Sequence, residues 1–204
     1  MHVAILTFEG FNELDSLIAL GILNRVTPKL RVSLATPSPQ VTSMNGVTLH
    51  GHITLEEAAS ADAVLVGSGI QTRNIIQDEA MLARLQLDRS RQLIAAQCSG
   101  ALILARLGLL QDGVACTDLI TAPWLQELGV RPLQTPLHVN GSVATAGGCL
   151  ASAYLAGWLI SRLAGKPAAE AALHYMAPVG EKESYVAHAL QVLREADAGQ
   201  HAFA

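Results

Sequence analysis

The sequence predicts an α/β fold, a three-layer sandwich built around a mainly parallel sheet. Two observations carry this. Short unbroken apolar runs at residues 3–8, 63–66 and 93–96 have the length and composition of strands buried on both faces. Between them lie stretches with apolar residues at helical spacing, and strands alternating with helices form parallel sheets covered on both sides. A chain of 204 residues, half of them hydrophobic, can bury a large core as one unit. Residues 1–204 are therefore expected to form one domain. With 4% aromatic residues, that core is built from Ala, Leu, Val and Ile.

The first strand, residues 3–8, ends at Glu9-Gly10. Asn12 offers an N-cap to a following helix, with Glu13 and Asp15 in its first turn and Leu14, Leu17, Ile18 and Leu20 as its apolar positions. Residues 31–35 read as a second strand, and residues 41–49 as a hairpin turning at Asn45-Gly46. Thr54 caps a short helix at 55–59. The strand at 63–66 opens into Gly67-Ser68-Gly69-Ile70, and 77–87 reads as a helix. The strand at 93–96 is interrupted by Gln97-Cys98-Ser99-Gly100, after which 101–110 reads as a helix rich in Ala and Leu. A short strand at 113–117 precedes a helix at 118–128, closed by Gly129, with Pro123 in its first turn or marking its start. Residues 137–145 read as a hairpin turning at Asn140-Gly141. Helices at 149–164, 168–176 and 182–196 complete the chain, and the small, polar tail after about residue 197 is expected to fray.

Composition narrows the function. A net charge of −4 with no basic block argues against nucleic acid as a partner. Three cysteines without paired spacing suggest a reducing compartment. The N-terminus reads as a strand rather than a signal peptide, and the apolar tract at 143–160 barely reaches membrane-spanning length and, with Gly147-Gly148 near its start and many Ala and Ser residues, suits a packed interior helix. A cytoplasmic protein with no membrane partner is the expectation. The turn from Gly67 to Ile70 lacks the Walker spacing and the full dinucleotide fingerprint, so no nucleotide cofactor is expected. Cysteines and histidines are scattered without ligand spacing, so no metal is expected either.

The chemistry centres on Cys98. A reactive residue flanked by small ones, between a buried strand and a helix, is the sequence form of a nucleophile elbow. Such a turn lifts the sulfur to the carboxyl end of the sheet and places it over a helix N-terminus, where thiolate is favoured over thiol. The backbone N–H of Ser99 would point at an oxyanion, and that of Gly69 or Ile70 would complete the hole. Asp15, beside the apolar positions of the first helix, is the candidate carboxylic partner, able to donate to a thiolate when protonated or to handle water when ionised. Glu13 reads as an ordinary first-turn acid. Cys116 and Cys149 read as structural, and His138 and His174 as partly buried, satisfied histidines.

These residues resemble the DJ-1/PfpI superfamily, also called ThiJ/PfpI or class I glutamine-amidotransferase-like proteins. The likeness runs from Val3 to about Val179, through FEGFNELD, LVGSG, AAQCSGALILARLGLL, ACTDL and ATAGGCLASAYLAGWLI. An Asp at the end of the first strand, here Asp15, is similar to the isonitrile hydratase-like branch. The resemblance implies a flavodoxin-like sandwich and a homodimer with active sites near the subunit interface. It also implies Cys98 as nucleophile, Asp15 as acid/base, and Ser99 and Gly69 as oxyanion donors. Where the protease-like branch carries a His, this chain has Asp118, so a Cys-His peptidase or amidotransferase mechanism loses its base. The expected function is a lyase that adds water to a small electrophilic carbon through a covalent adduct on Cys98. Its alternatives are a glyoxalase-type enzyme acting on small dicarbonyls, or a non-enzymatic redox or stress-response protein sensing oxidants through Cys98. Sequence leaves Tyr175, His174 and Asp118 without an assigned role.

Overall fold

The computed structural model describes residues 1–199. Its strands and helices run β1 (His2–Leu6), α1 (Glu13–Leu23), β2 (Arg31–Thr36), β3 (Gln40–Thr42), β4 (Thr48–His50), β5 (Ile53–Thr54), β6 (Ala63–Val66), α2 (Thr72–Ile75) and α3 (Glu79–Ala83). They continue with β7 (Leu93–Gln97), α4 (Gly100–Arg106), β8 (Val114–Cys116), α5 (Ala122–Glu127), β9 (Arg131–Leu133), β10 (Leu137–Asn140), β11 (Val143–Ala146), α6 (Ser152–Ala164), α7 (Lys166–Met176) and α8 (Lys182–Gly199). A seven-stranded sheet has the order β10-β11-β7-β6-β1-β2-β5. Every pairing in it is parallel except β10 with β11.

The period of two along each strand divides the unbroken apolar runs between two cores. From β1, Val3 and Ile5 join β6 residue Leu65 and β7 residue Ala95 beneath α1, α6, α7 and α8, with Trp158 fully buried there. Ala4 and Leu6 face the other way, with Val64, Val66, Ile94 and Ala96, against α3, α4 and α5. This is the three-layer sandwich that the apolar runs implied, because a strand with no polar face must be covered on both sides.

Several local details differ from the sequence reading. The hairpin at Asn45-Gly46 forms, but as a separate two-stranded ribbon of β3 and β4. A second small sheet pairs β8 with β9 in parallel, and the two-residue β5 extends the main sheet beside β2; neither β9 nor β5 has a run long enough to read. The helix at 77–87 shortens to α3, capped by the Asp78 side chain on the Met81 N–H, and is preceded by the unforeseen single turn α2. The chain leaves α3 at Arg84, whose guanidinium reaches Glu56 at 2.5 Å and the Pro37 carbonyl at 3.1 Å. Pro123 marks the start of α5, and Asp118 instead closes the preceding turn by accepting from the Ile120 and Thr121 N–H groups. Helix α8 continues through residue 199, past the point where fraying was expected; residues 200–204 lie outside the described residues. Among the described residues, no helix is long and apolar enough to cross a membrane.

The most informative departure is in α1. Its cap is as read, with Asn12 Oδ1 accepting from the Leu14 N–H at 3.1 Å. Its inward face is not. Asp15, Ser16, Ala19, Ile22 and Leu23 are buried, while Leu14 stands half exposed. A helix that buries a carboxyl group and exposes a leucine breaks the amphipathic rule, and such breaks are expected at functional sites.

Candidate active site

Three carboxyl strand ends meet at one point. β1 leads into α1 and Asp15, β6 into the turn at Ser68-Gly69, and β7 into Cys98. Chain order reverses direction across the sheet between β1 and β6, the position at which open α/β sheets bind ligands. Cys98 has φ +47°, the only positive value at a non-glycine residue among those described. This left-handed conformation is costly for a side-chain-bearing residue and persists only where its surroundings enforce it. The enforcing contacts are visible: the Cys98 N–H donates to the Ala146 carbonyl at 2.8 Å, and Thr117 Oγ1 donates to the Cys98 carbonyl at 2.8 Å. Gly100 then starts α4, and a Cβ there would sit 2.6 Å from the Val66 carbonyl oxygen, so only glycine lets helix and strand approach this closely.

Asp15 is fully buried behind the sulfur. Ser68 donates a short hydrogen bond to its Oδ2, whereas Oδ1 is buried with no hydrogen-bond partner. Cys98, Cys149 and Asp15 each bring one ligand atom within 4.8 Å of the other two. Burial pushes the Asp15 carboxyl above its ordinary range, partly offset by the Ser68 hydrogen bond and the neighbouring thiols. Burial also pushes the Cys98 thiol far up, reinforced by the charge of Asp15.

Cys98 is 4% accessible, yet it lines a cavity of about 390 Å³ open to solvent. Burial, and after it the charge of Asp15, oppose the thiolate that the N-terminus of α4 favours.

The oxyanion candidates divide. Ser99 is the N-cap of α4, so its own N–H and that of Gly100 belong to the first turn, which has no intrahelical acceptor. The Gly69 N–H donates to Ser99 Oγ at a long 3.3 Å, an easily exchanged bond that keeps it aimed at the elbow. Ile70 is corrected as a donor: its N–H is committed to the Gly10 carbonyl at 3.0 Å, while its side chain lines the cavity, 62% exposed. A Cβ on residue 69 would lie 2.4 Å from the Gly10 carbonyl oxygen and 2.8 Å from Phe11 Cα. Gly69→Ala is thus expected to displace the turn, costing about 1–3 kcal/mol in denaturant unfolding together with most of the activity.

Sequence reasoning missed Cys149. It lies 51 residues beyond Cys98, in the single 3-10 turn before α6, and reads as the start of an interior helix. Only the fold brings it to the cavity wall, beside Asn12, whose Nδ2 donates to its sulfur at 3.3 Å. The scatter that argued against a metal does not survive in space, since Asp15, Cys98 and Cys149 are three donors suited to a soft cation. Cys116 is buried in β8 with its sulfur 3.3 Å from Thr135 Oγ1, away from the cavity. His138 pairs with Asp112 at 2.7 Å, His174 lines a groove between α7 and α8, and Tyr175 lies under Arg25; none reaches Cys98. Asp118 does line the cavity, with its carboxylate held by the turn into α5. Glu13 clamps the β3–β4 turn instead of merely facing the helix dipole, accepting from Ser43 and from Asn45 Nδ2.

The rest of the cavity wall is largely apolar: Met44, Ile70, Ile120 and Trp124, with the Arg73 guanidinium 4.2 Å over the Trp124 ring. A cysteine at an elbow, a buried carboxyl beside it and backbone N–H donors could together support covalent addition to a small electrophile with an apolar body.

Comparison with known proteins agrees with this fold. The chain is 28% identical over 173 residues to the isonitrile hydratase of Pseudomonas putida, covering 83% of this chain and 75% of that one. Its fold is similar to that of a ThiJ/PfpI family protein from Pseudomonas syringae (TM-score 0.78, 19% identity, 97% of this chain and 89% of that one). Schizosaccharomyces pombe DJ-1 is also similar, at a TM-score of 0.75 and 15% identity, over 87% of this chain and all of that one. Residues 1–162 match the model of the DJ-1/PfpI family. With its sandwich, its strained Cys98 elbow and that match together, the chain belongs to the DJ-1/PfpI family.

Proposed function

We propose that this protein is a cysteine-dependent hydratase acting on isonitriles. The observation that carries the reading is the Cys98 sulfur, which lines the cavity with the buried Asp15 carboxyl within 4.8 Å of it. Similarity to the Pseudomonas putida isonitrile hydratase supports the substrate class, and the apolar wall suits an aryl or alkyl body.

The chemistry follows from one shared proton. As an isonitrile carbon approaches the sulfur, Asp15 takes the thiol proton, the C–S bond forms, and the proton passes to that carbon, giving a thioimidate on Cys98. Water then adds to the thioimidate carbon, its proton moving by way of Asp15 to nitrogen. The resulting tetrahedral carbon expels the sulfur, which regains a proton, and an N-substituted formamide leaves. Oxygen charge that develops during collapse meets the first-turn N–H groups of α4 and that of Gly69. Asp15 suits both tasks because burial raises its proton affinity above that of an exposed carboxylate. The test is direct: purified protein should convert an aryl isonitrile to the formamide, followed by loss of the isonitrile and mass identification of the product. Faster turnover of methylglyoxal than of any isonitrile would replace this reading with the dicarbonyl one.

We also propose a homodimer closing around the cavity mouth. Leu14, Ile70, Ile120 and Leu150, each at least half exposed, adjoin or line the site, an unusual density of bare apolar side chains. Sedimentation should report a dimer, and Ile120→Glu together with Leu150→Glu should shift it toward monomer.

A further inference from the structure

Cys149 is unused by the proposed reaction, yet it shares the cavity with Cys98 and lies within 4.8 Å of its sulfur. We propose that Cys149 is a resolving cysteine: hydroperoxides oxidise Cys98, and Cys149 captures the product as a Cys98–Cys149 disulfide.

The local geometry supports this assignment. The two sulfur atoms lie no more than 4.8 Å apart, against about 2 Å in a disulfide. Cys149 sits in a single 3-10 turn directly after Gly148, which has a positive φ and open space on its Cβ side. Asn12 has its Oδ1 fixed by capping α1, and its Nδ2 donates to the Cys149 sulfur at 3.3 Å, partly offsetting the burial and the Asp15 charge that raise that thiol. Cys149 is also the more accessible of the pair. Cys116 lies outside this cavity.

The two steps balance. A peroxide O–O bond breaks as the Cys98 sulfur takes one oxygen, and the thiol proton passes through Asp15 to the departing alkoxide or hydroxide. Sulfur is oxidised by two electrons to the sulfenic acid, and the peroxide is reduced. Cys149 sulfur then attacks Cys98 sulfur, the S–O bond breaks, and hydroxide leaves with the Cys149 proton as water. The sum is two thiols and one hydroperoxide to one disulfide, one alcohol (or water) and one water. Because the disulfide forms before a second peroxide arrives, it diverts Cys98 from irreversible sulfinic acid.

The test treats full-length protein with millimolar hydrogen peroxide and reads intact mass and non-reduced peptide maps. Wild type should lose about 2 Da, link the Cys98 and Cys149 peptides, and recover its thiols with dithiothreitol. Cys149→Ser should instead gain about 32 Da at Cys98, unaffected by dithiothreitol, whereas Cys116→Ser should behave as wild type. Four results overturn the proposal: wild type gaining about 32 Da while Cys149 still alkylates, no oxidation, a disulfide surviving in Cys149→Ser, or one linking two chains. The mass readout is independent of isonitrile turnover, so it can fail or succeed apart from the hydratase reading.

Discussion

Cys98→Ala is expected to abolish isonitrile hydration, lowering kcat by about 10³-fold or more, while the protein stays folded. The sulfur is the only thiol held at the elbow, and removing it removes the covalent adduct rather than a contact. Alanine keeps the Cβ, so it adopts the same φ of +47° at similar cost, and the backbone bonds to Ala146 and Thr117 are untouched. A melting curve close to that of wild type, beside a flat progress curve, is the expected pair of results. Cys98→Ser should not rescue, because a hydroxyl beside a carboxylate in this desolvated site is a far weaker nucleophile. Turnover retained in Cys98→Ala would refute covalent catalysis.

Asp15→Asn is expected to lower kcat by about 10²–10⁴-fold, the usual contribution of a positioned acid/base. Three further readouts separate this from simple damage. In wild type, kcat/KM should fall on the acid side with a midpoint above the ordinary carboxylate range, since the base must be ionised and burial raises its proton affinity. The limb belongs to the Asp15–Cys98 pair, not to either group alone, and it should vanish in the variant. The Cys98 thiol, freed of a neighbouring carboxylate, should titrate lower and alkylate faster even though catalysis is slower.

Stability should move the opposite way from activity. A carboxyl whose native pKa is raised binds its proton more tightly folded than unfolded, so wild-type stability declines as pH rises from the unfolded value through the native one. Above that window the penalty is complete, and Asp15→Asn should melt higher there, with about 2–4 °C for each kcal/mol relieved in a chain of this size. Below the window the penalty disappears and the gap between the two proteins narrows. A variant that is both active and no more stable would leave Asp15 as an ordinary residue at a helix start.

Much of this site was legible because its parts are local. Cys98 announces itself by lying between an apolar strand and an Ala/Leu helix, and the close approach at Gly69 is written as glycine because no Cβ fits there. Asn12 as a cap needs only its neighbours. The parts that were misread depend on residues distant in sequence. Leu14 was read as inward and stands half exposed because α1 packs with its Asp15, Ser16 and Ala19 side inward, a choice made by its packing on α6 rather than by the helix itself. Cys149 was read as structural because nothing within its own segment shows that α6 begins against α1, where Ser152 Oγ donates to the Asp15 carbonyl at 3.2 Å. The Ile70 N–H was read as free because its acceptor, Gly10, lies 60 residues earlier.

By itself the sequence determined the layered α/β architecture, the order of its main strands and helices, and the cysteine at the turn after β7. Apolar periodicity and tight-turn chemistry act over a few residues, and those residues are contiguous. Only the tertiary structure decided the surroundings of that cysteine, the burial of its acid and the arrival of a second thiol. Each depends on solvent exclusion and on charges brought close by strand order, and neither quantity exists until the chain has packed.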